Sequence, residues 1–284
     1  MGLRHAAAYA DLEGVRVIAI VDRHPVRRLA TVGWFQDVEA LLATATPDLA
    51  SVATPPHTHR LVAEKLLRAG VRVLVEKPLA TTVADSEALV ATALPGTLAV
   101  GHLERANAAV GALRRAIAGQ RITRIEAVRS GPGPDPVHQV GAALDLAVHD
   151  LDLAAYLLEE QLRVVCAETS TDGTGLETML HGELSAVSGA TVSITATVQS
   201  GPGVRTLCVT TDRHVLVADL LRHRLEMDGR EVPILPQDAL REQLSGLRDG
   251  RPLASGLDGL LSVRLAHDLL RVAGPSRGGS CAGS

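Results

Sequence analysis

The chain has 284 residues, of which 46% are hydrophobic and 21% are charged, and its formal net charge is −4. This composition is typical of a globular protein with a sizeable core and excludes a largely disordered chain. No apolar run approaches the roughly 18 residues of a membrane span, and the start of the chain lacks the apolar segment of a secretory signal. Because the chain is slightly acidic and has only four aromatic residues, we expect neither a membrane nor a nucleic-acid partner.

Cysteine and lysine usage narrows the setting further. The three cysteines, Cys166, Cys208 and Cys281, are widely spaced and form no CxxC pair, which favours a reducing, cytoplasmic compartment. The chain has two lysines, Lys65 and Lys77, so arginine is its ordinary cation. Because the compact lysine ammonium can do chemistry that a guanidinium cannot, each lysine is a candidate functional residue.

The first 105 residues alternate short apolar runs with helical patterns. Continuous apolar strands between helices are typical of a parallel sheet that is covered on both faces. One of the helices is opened by Thr82 and Asp85 at capping-box spacing. The predicted strands are residues 15–21, 49–54, 71–75 and 98–101, and the predicted helices are residues 59–68 and the segment after Thr82.

The periodicity changes after residue 105. Strands in which apolar and polar residues alternate follow two further helices, and Asp228 with Gly229 marks a hairpin turn. This alternation predicts an antiparallel or mixed sheet with one packed face. We therefore expect two domains, over residues 1–105 and 106–274, and a disordered tail over 275–284. The second domain contains a helix at 108–118, a strand at 122–129, a loop at 130–136, a helix at 141–158, a strand at 191–198 and a last helix that opens at Ser255 and Asp258 and carries Leu257, Leu261, Leu265 and Leu269.

Polar residues follow the predicted parallel strands. Asp22 follows the first strand, Thr54 and Pro55 end the second, and Glu76 and Lys77 follow the third. Because ligands of an open parallel sheet bind at the carboxyl ends of its strands, these residues predict a ligand site at that edge. A solvated turn is the simpler interpretation for a single lysine, but a cation at this edge can also bind a substrate hydroxyl and ease the removal of its proton.

Asp22 has a second indication of function. It follows Gly2 by about 20 residues, the usual distance from the last glycine of a dinucleotide fingerprint to the acid that binds the adenosine ribose. The alternative is that Asp22 only begins the turn before Pro25. The first two glycines of the fingerprint and the strand before them are absent from the sequence. We therefore expect either a start upstream of Met1 or a damaged nucleotide site, with a slot of unpaired backbone in the sheet.

A second constellation lies on the helix at 141–158. Asp145, His149 and Asp152 occupy positions i, i+4 and i+7, which share one helix face. An aspartate beside the imidazole is expected to raise the pKa of His149, which suits a general base for an alcohol. Two alternatives stay open: a half-buried ion pair without chemistry, and a metal site with His138 as a third ligand.

These motifs together resemble the Gfo/Idh/MocA family of NAD(P)-dependent oxidoreductases. The segment at 101–107 further resembles that of UDP-N-acetylglucosamine 3-dehydrogenase-like members, although Ala106 and Ala108 replace a phenylalanine and a proline. The resemblance runs from Gly2 to about Ala273. It is carried by the segments at 1–5, 21–22, 53–59, 76–78 and 145–150.

The resemblance implies an α/β fold, with a Rossmann-like domain followed by an α+β domain whose open, mostly antiparallel sheet forms a homo-oligomer. It implies hydride transfer between NAD(P) and a ring hydroxyl or keto carbon of a sugar, sugar nucleotide or cyclitol. His149 would be the acid/base, Asp145 would orient it, and Lys77 would contact substrate and nicotinamide ribose. Asp22 favours NAD, while Arg23 keeps NADP open.

Matching to the family gives two sets of site residues, and no metal ligand. The implied cofactor-binding residues are Gly2, Leu3, Asp22, Arg23, Thr54, Pro55, His59, Glu76 and Lys77, and the implied substrate-binding residues are Lys77, Arg105, Asn107, Asp145 and His149. The alternative to an enzyme is a non-catalytic family member that binds a sugar or nucleotide as a sensor or partner subunit. The intact Lys77, Asp145 and His149 favour catalysis, and the missing glycines favour the alternative.

Overall fold

The computed structural model describes residues 1–25, 32–133, 139–173, 175–251 and 253–274. Its first part contains five short parallel strands in two sheets, one of order β1-β2 and one of order β3-β4-β5. The strands of this part are β1 (Ala19–Val21), β2 (Gly33–Phe35), β3 (Leu49–Val52), β4 (Arg72–Val75) and β5 (Leu98–Val100), and the helices are α1 (Gly2–Ala10), α2 (Val38–Leu42), α3 (His59–Arg68) and α4 (Val83–Thr92).

The predicted parallel sheet is therefore present, but in two pieces. Among the described residues, β1 pairs with β2 alone and β3 with β4 alone, so each has one unpaired edge. The long apolar run at 15–21 forms a strand only over Ala19–Val21, and these residues are half-buried, not buried. This corrects the predicted length and burial of the first strand: without a neighbour along one edge, most of the run makes no ladder hydrogen bonds.

The helix predictions in this part are confirmed. Helix α3 spans the predicted residues 59–68, directly after a 3₁₀ turn over Pro56–Thr58. Helix α4 is capped by Thr82, whose hydroxyl oxygen accepts a hydrogen bond of 3.0 Å from the backbone N–H of Asp85. Neither β2 nor α2 was predicted, since each is too short to show a clear periodicity.

The second part is built on one sheet of eight strands, in the order β13-β12-β11-β10-β6-β9-β8-β7. All neighbouring strands are antiparallel except β6 and β9, which confirms a mostly antiparallel sheet. The strands are β6 (Ile122–Gly131), β7 (Leu162–Thr171), β8 (Glu177–Ala186), β9 (Thr191–Val198), β10 (Val204–Thr211), β11 (Val215–Asp219), β12 (Arg224–Met227) and β13 (Arg230–Val232), and the helices are α5 (Ala108–Ala116), α6 (Val148–Leu158), α7 (Ala239–Arg248) and α8 (Gly256–Ala273).

One face of this sheet is covered and the other is open. On β9, the alternate residues Val192, Ile194 and Ala196 are fully buried, whereas Thr191 of the same strand is exposed, as the alternation predicts. The predicted hairpin joins β12 to β13 through Asp228 and Gly229, whose φ values of 51° and 75° are those of the left-handed region. The covered face carries α6 and α8, and the open face meets solvent.

Helix α8 packs against both parts of the protein, on β5 and on β7. Its N-terminus is the predicted capping box of Ser255 and Asp258, and Gly259 lies so close to Val100 that a Cβ there would come within 2.5 Å of it. Of the four leucines that the sequence analysis placed on this helix, Leu265 and Leu269 are buried and Leu257 is exposed. The buried face also contains Leu260, Val263 and Ala266, as the 3.6-residue period of a helix requires.

No helix among the described residues is long and apolar enough to cross a bilayer. Several predictions fall outside the described part of the chain. These are residues 134–136 of the predicted loop, His138, Cys281 and the tail at 275–284. The first two residues of that loop, Ser130 and Gly131, instead extend β6, which corrects the predicted end of the strand.

Candidate functional site

The carboxyl end of β4 meets the helix of the second part through an ion pair. The Nζ of Lys77 lies 2.8 Å from Oδ1 of Asp145 and donates a second hydrogen bond, of 2.7 Å, to the Asp145 carbonyl oxygen. Both side chains keep partial exposure. The structure therefore brings together two of the predicted catalytic residues, which lie on different elements and far apart in sequence.

The helix that carries Asp145 is not regular. A π-helical turn over Ala143–Ala147 precedes α6, and it is held by Glu177 of β8, which accepts a hydrogen bond of 3.0 Å from the N–H of Ala143. Gly141 lies beside this carboxylate, and a Cβ there would come within 2.3 Å of it, so a larger residue would displace the Glu177 side chain from this position. The wider turn changes the phase of the side chains that precede α6, so the face predicted from a uniform 3.6-residue period does not hold.

The predicted effect of aspartate on His149 is wrong. Asp145 pairs with Lys77, and no hydrogen bond joins it to the imidazole. The pKa of His149 lies well below its ordinary value, chiefly because burial disfavours the charged ring and secondarily because the charges of Lys77 and Arg129 lie nearby. His149 is therefore neutral at neutral pH, and it keeps partial exposure. A neutral imidazole is the form that can accept a proton.

Asp152 also has another partner. It forms a bidentate pair with Arg105, at 2.7 and 2.9 Å, and Arg105 donates a further hydrogen bond to the carbonyl of Leu253. Asn107 caps α5 by accepting from the N–H of Ala109 at 3.0 Å, and it is buried. The contacts of Arg105 and Asn107 are all internal. Their substrate role stays a prediction.

A buried charge network that was not predicted lies behind the helix. Arg129 of β6 is 1% exposed and forms a bidentate pair with Asp150, with both hydrogen bonds at 2.8 Å. Its third nitrogen contacts Glu104 at 3.1 Å, and Arg205 contacts the same carboxylate at 3.1 Å. Burial opposes the charge of Arg129, but its carboxylate partners outweigh this, and its pKa is raised. Because Asp150 follows His149 directly, this network fixes the backbone that carries the histidine.

The sequence did contain a signal for this network. Arg129 continues the inward-facing series of Ile125 and Ala127 on β6, where a charge is expensive unless it is paired. An arginine on the packed face of a strand therefore predicts a buried carboxylate, and Asp150 is such a partner.

Glu76 ties α1 to the edge of the sheet. Its Oε1 lies 2.8 Å from Nε2 of His5, whose Nδ1 contacts the hydroxyl of Ser51 at 3.0 Å, and the Tyr9 hydroxyl contacts the same oxygen. Burial would raise the pKa of Glu76, but the hydrogen bond and charge of His5, together with Lys77, lower it overall. The carboxylate therefore joins a chain of internal contacts at the cofactor edge.

The other predicted cofactor residues surround the same edge. Gly2 at the start of α1 lies against Ala53, and Leu3 and Arg23 are exposed. Asp22 is exposed as well, and its Oδ1 accepts a 2.8 Å hydrogen bond from the N–H of His24, so it begins a turn as the alternative interpretation had it. This contact occupies one carboxylate oxygen, which leaves the position compatible with a ribose.

Two of these residues have structural partners. Thr54 accepts a hydrogen bond of 2.8 Å from the Thr58 hydroxyl, next to Pro55. His59 is 1% exposed, and its ring nitrogens lie 2.8 and 2.9 Å from the carbonyl oxygens of Thr54 and Pro78. The imidazole therefore joins the two strand-end loops instead of facing a ligand. The described residues contain no cluster of three or more metal-ligating side chains, and His138 lies outside them.

Comparisons with known proteins decide the family. Residues 1–101 match an oxidoreductase family with an NAD-binding Rossmann fold, and residues 110–217 match the Gfo/Idh/MocA C-terminal domain. The chain belongs to the Gfo/Idh/MocA family. This confirms the resemblance drawn from the motifs and the expected α/β fold, and it confirms that the chain is an oxidoreductase-family protein, with relatives named as dehydrogenases and reductases.

The relatives include enzymes of several substrates. The chain is 29% identical over 281 residues to UDP-N-acetylglucosamine 3-dehydrogenase of Acidithiobacillus ferrooxidans, covering 94% of this chain and 86% of that protein. It is 29% identical over 57% of its length to inositol 2-dehydrogenase of Rhizobium meliloti, of which the match covers 53%. The solved structure of the Acidithiobacillus enzyme, GnnA, superposes with a TM-score of 0.84 at 26% identity, over 96% of this chain and 94% of that one.

We expect the substitution Arg129→Met to destabilise the protein by about 3–5 kcal/mol, because it leaves Asp150 and Glu104 buried without their cation. Urea unfolding measures this. Burial already raises the pKa of Asp150, and removal of Arg129 raises it further. A carboxyl whose pKa is raised in the folded state destabilises that state at high pH, and this effect disappears below the pKa that the group has in the unfolded chain. The loss of unfolding free energy in Arg129→Met should therefore become smaller toward acidic pH.

The matched control is Arg124→Met on the same strand. Arg124 pairs with Glu126 on the open face of the sheet, where both side chains are about half exposed. Its loss should change the free energy of unfolding by less than about 1 kcal/mol. Equal effects of the two substitutions would contradict the buried network as a source of stability.

Proposed function

We propose that this protein is an NAD-dependent dehydrogenase that transfers a hydride between NAD and a ring hydroxyl or keto carbon of a sugar, sugar nucleotide or cyclitol. The observation that carries the proposal is the placement of Lys77, Asp145 and His149. Lys77 lies at the ligand-binding edge of an NAD-binding fold and contacts Asp145 at 2.8 Å, four residues before His149 on the adjoining helix.

Each of the three residues has a role that its environment supports. His149, neutral because burial and cationic neighbours lower its pKa, takes the proton of the substrate hydroxyl during oxidation and returns it during reduction. Lys77 donates a hydrogen bond to the same oxygen and stabilises the charge that develops there. Asp145 holds the Lys77 ammonium in place through two hydrogen bonds. Bound NAD would supply the hydride acceptor.

The residues of the nucleotide edge support NAD as the cofactor. The first backbone N–H groups of a helix have no intrahelical acceptor, so those of Gly2 and Leu3 can meet a pyrophosphate. Asp22 lies after β1 with an exposed carboxylate, which accepts hydrogen bonds from a free ribose 2′-hydroxyl and repels a 2′-phosphate. The exposed Arg23 is the residue that would favour NADP instead.

The charges around the site support a hydroxyl-rich substrate at the reacting end. Lys77 is paired with Asp145, and Arg129 with Asp150, so the cations nearest to His149 are already neutralised. A site whose charges are paired suits neutral hydroxyl groups, which it binds through hydrogen bonds. The relatives named for a nucleotide sugar and for inositol share this kind of reacting group.

We expect His149→Ala to reduce kcat by about 10²- to 10⁴-fold, the usual contribution of a general acid–base. Lys77→Met should also reduce kcat strongly, because it removes the charge that stabilises the reacting oxygen. The measurement is steady-state reduction of NAD with a panel of sugars, UDP-sugars and inositols.

Lys65→Met is the matched control for Lys77→Met, because it makes the same change at the other lysine of the chain. Lys65 lies on α3 and pairs with Glu39 at the surface, away from the strand ends, so kcat should stay nearly unchanged. An undiminished rate in the His149 variant would contradict the assignment of the base. Saturable NAD binding without turnover of any compound in the panel would favour the non-catalytic sensor or subunit.

The substitution Asp22→Ser tests the cofactor. Removal of a charge-assisted hydrogen bond to the ribose costs about 1.5–3 kcal/mol, so kcat/KM for NAD should fall by about 10- to 100-fold. The value for NADP should rise or stay the same, since the repulsion of its phosphate is removed. Measurement of kcat/KM with both cofactors decides this, and an NADP preference in the unaltered protein would show that Arg23 dominates.

We also propose that the domain boundary lies between residues 105 and 106, and that the protein forms a homo-oligomer through the open face of the eight-stranded sheet. Val128, Val204, Val215 and Val217 are 37–45% exposed on this face. Light scattering should give a mass above that of one chain, and Val128→Glu should lower it. Val187→Glu, at an 80% exposed position beyond β8, should not.

A further inference from the structure

His102 lies behind the proposed base. It follows β5 at the same edge where Lys77 follows β4, and it is 1% exposed, so it cannot meet a substrate. Its ring contacts the ring of His149 edge to face, with centroids 6.4 Å apart and an interplanar angle of 78°. No spacing or charge pattern in the sequence singles out this residue, although it lies in the segment at 101–107.

The contacts of His102 fix the position of its hydrogen. Its Nε2 lies 3.1 Å from the hydroxyl oxygen of Ser262, and that hydroxyl donates its single hydrogen to the carbonyl of Gly259 at 3.0 Å. Ser262 must therefore accept from His102, and Nε2 carries the hydrogen. Asp152, at 3.7 Å from the same nitrogen, favours this tautomer as well. It follows that Nδ1 of His102 presents a lone pair.

The Nδ1 atoms of His102 and of the proposed base, His149, both lack a hydrogen-bond partner among the described residues, and both are buried. Buried polar atoms without partners are rare, because each has lost the hydrogen bonds that water would supply. Two of them on rings in contact suggest that each completes the other. An acceptor on one ring would match a donor on the other.

We propose that His102 is a positioning residue that holds the hydrogen of His149 on Nδ1, so that Nε2 of His149 keeps the lone pair that takes the substrate proton. The proposal requires the two nitrogens to meet directly or through one bridging water molecule. A catalytic histidine needs such an acceptor, because the partner of one ring nitrogen decides which nitrogen is left as the base. The inference rests on the proposed role of His149 as the base.

Long-range ¹H–¹⁵N NMR of the histidine rings in the free, full-length protein tests the proposal directly. The expected spectrum of the unaltered protein shows His149 as the Nδ1–H tautomer. His102→Gln keeps a donor toward Ser262 but lacks the acceptor at Nδ1, so His149 should become a mixture of tautomers. The value of kcat should fall by about 10- to 100-fold, as for partners that orient a metal-binding histidine, with little change in KM.

Two further variants separate positioning from structure. His102→Asn offers a carbonyl oxygen near the original Nδ1 and should recover part of the kcat lost in His102→Gln. His267→Gln makes the same exchange on α8, where the ring contacts the carbonyl of Thr81 at 2.9 Å, and should leave the His149 signals and kcat unchanged.

The outcomes distinguish this inference from the proposed function. An Nε2–H tautomer of His149 in the unaltered protein would overturn the positioning role, and so would an unchanged His149 spectrum in His102→Gln. Either result could stand beside full dehydrogenase activity. A tautomer shift in His102→Gln in a protein that oxidises nothing in the panel would instead support the positioning role and reject the proposed function.

Discussion

The contact between Lys77 and Asp145 joins the parallel sheet to the π-helical turn before α6, and each of these is stabilised by its own hydrogen bonds. Lys77 is placed by a parallel strand, whose position depends on hydrogen bonds to β3 and β5. Asp145 is placed by a π-helical turn, in which the N–H of Ala143 donates to Glu177 beside Gly141. The ammonium reaches both the carboxylate and the carbonyl of Asp145, so it fixes backbone as well as side chain. The edge of the sheet and the helix of the base therefore have one relative position.

The remaining charges near the base follow from burial. A carboxylate or guanidinium inside a protein is tolerated when it is paired, and Arg129 with Asp150, and Arg105 with Asp152, are such pairs. Both aspartates lie on α6, and both arginines lie on other elements, so the pairs also anchor the helix from two sides. The attraction and hydrogen bonds within each pair offset the cost of burying the charges, and the same contacts fix the orientation of α6. That orientation is what a base at its start requires.

The sequence predicts much of the fold because most elements carry their own signals. Helix α3 and the caps at Thr82 and Ser255 depend on local hydrogen bonds and periodicity, and the structure has them as expected. The first strand is shorter and less buried than its apolar run suggested, because strand length depends on neighbours that local sequence does not reveal. The separation of the two parallel sheets, by contrast, corresponds to the slot of unpaired backbone that the sequence predicts, with β1 and β3 each paired along one edge.

The sequence predicted which residues form the candidate site better than it predicted which of them contact each other. Lys77, Asp145 and His149 were chosen from motifs and strand ends, yet the expected pairing of Asp145 with His149 assumed a regular helix. The π turn is imposed by Glu177, which lies in a distant strand, so no local pattern shows it. The direction of the pKa shift of His149 was wrong for a related reason: burial and cations from other elements dominate over its own helix.

The histidines near the carboxyl ends of the parallel strands differ in whether their ring nitrogens hold the fold together or are free to exchange a proton with a substrate. Both ring nitrogens of His5 and of His59 are engaged, with Ser51 and Glu76 in one case and with two carbonyl oxygens in the other. His102 has one engaged nitrogen, and His149 has no hydrogen bond to a described residue at Nδ1 and keeps partial exposure. A ring whose nitrogens are committed to the fold cannot exchange a proton with a substrate without breaking the contacts that hold it. Of these four rings, His149 is the one that can change its protonation while the loops around it keep their hydrogen bonds.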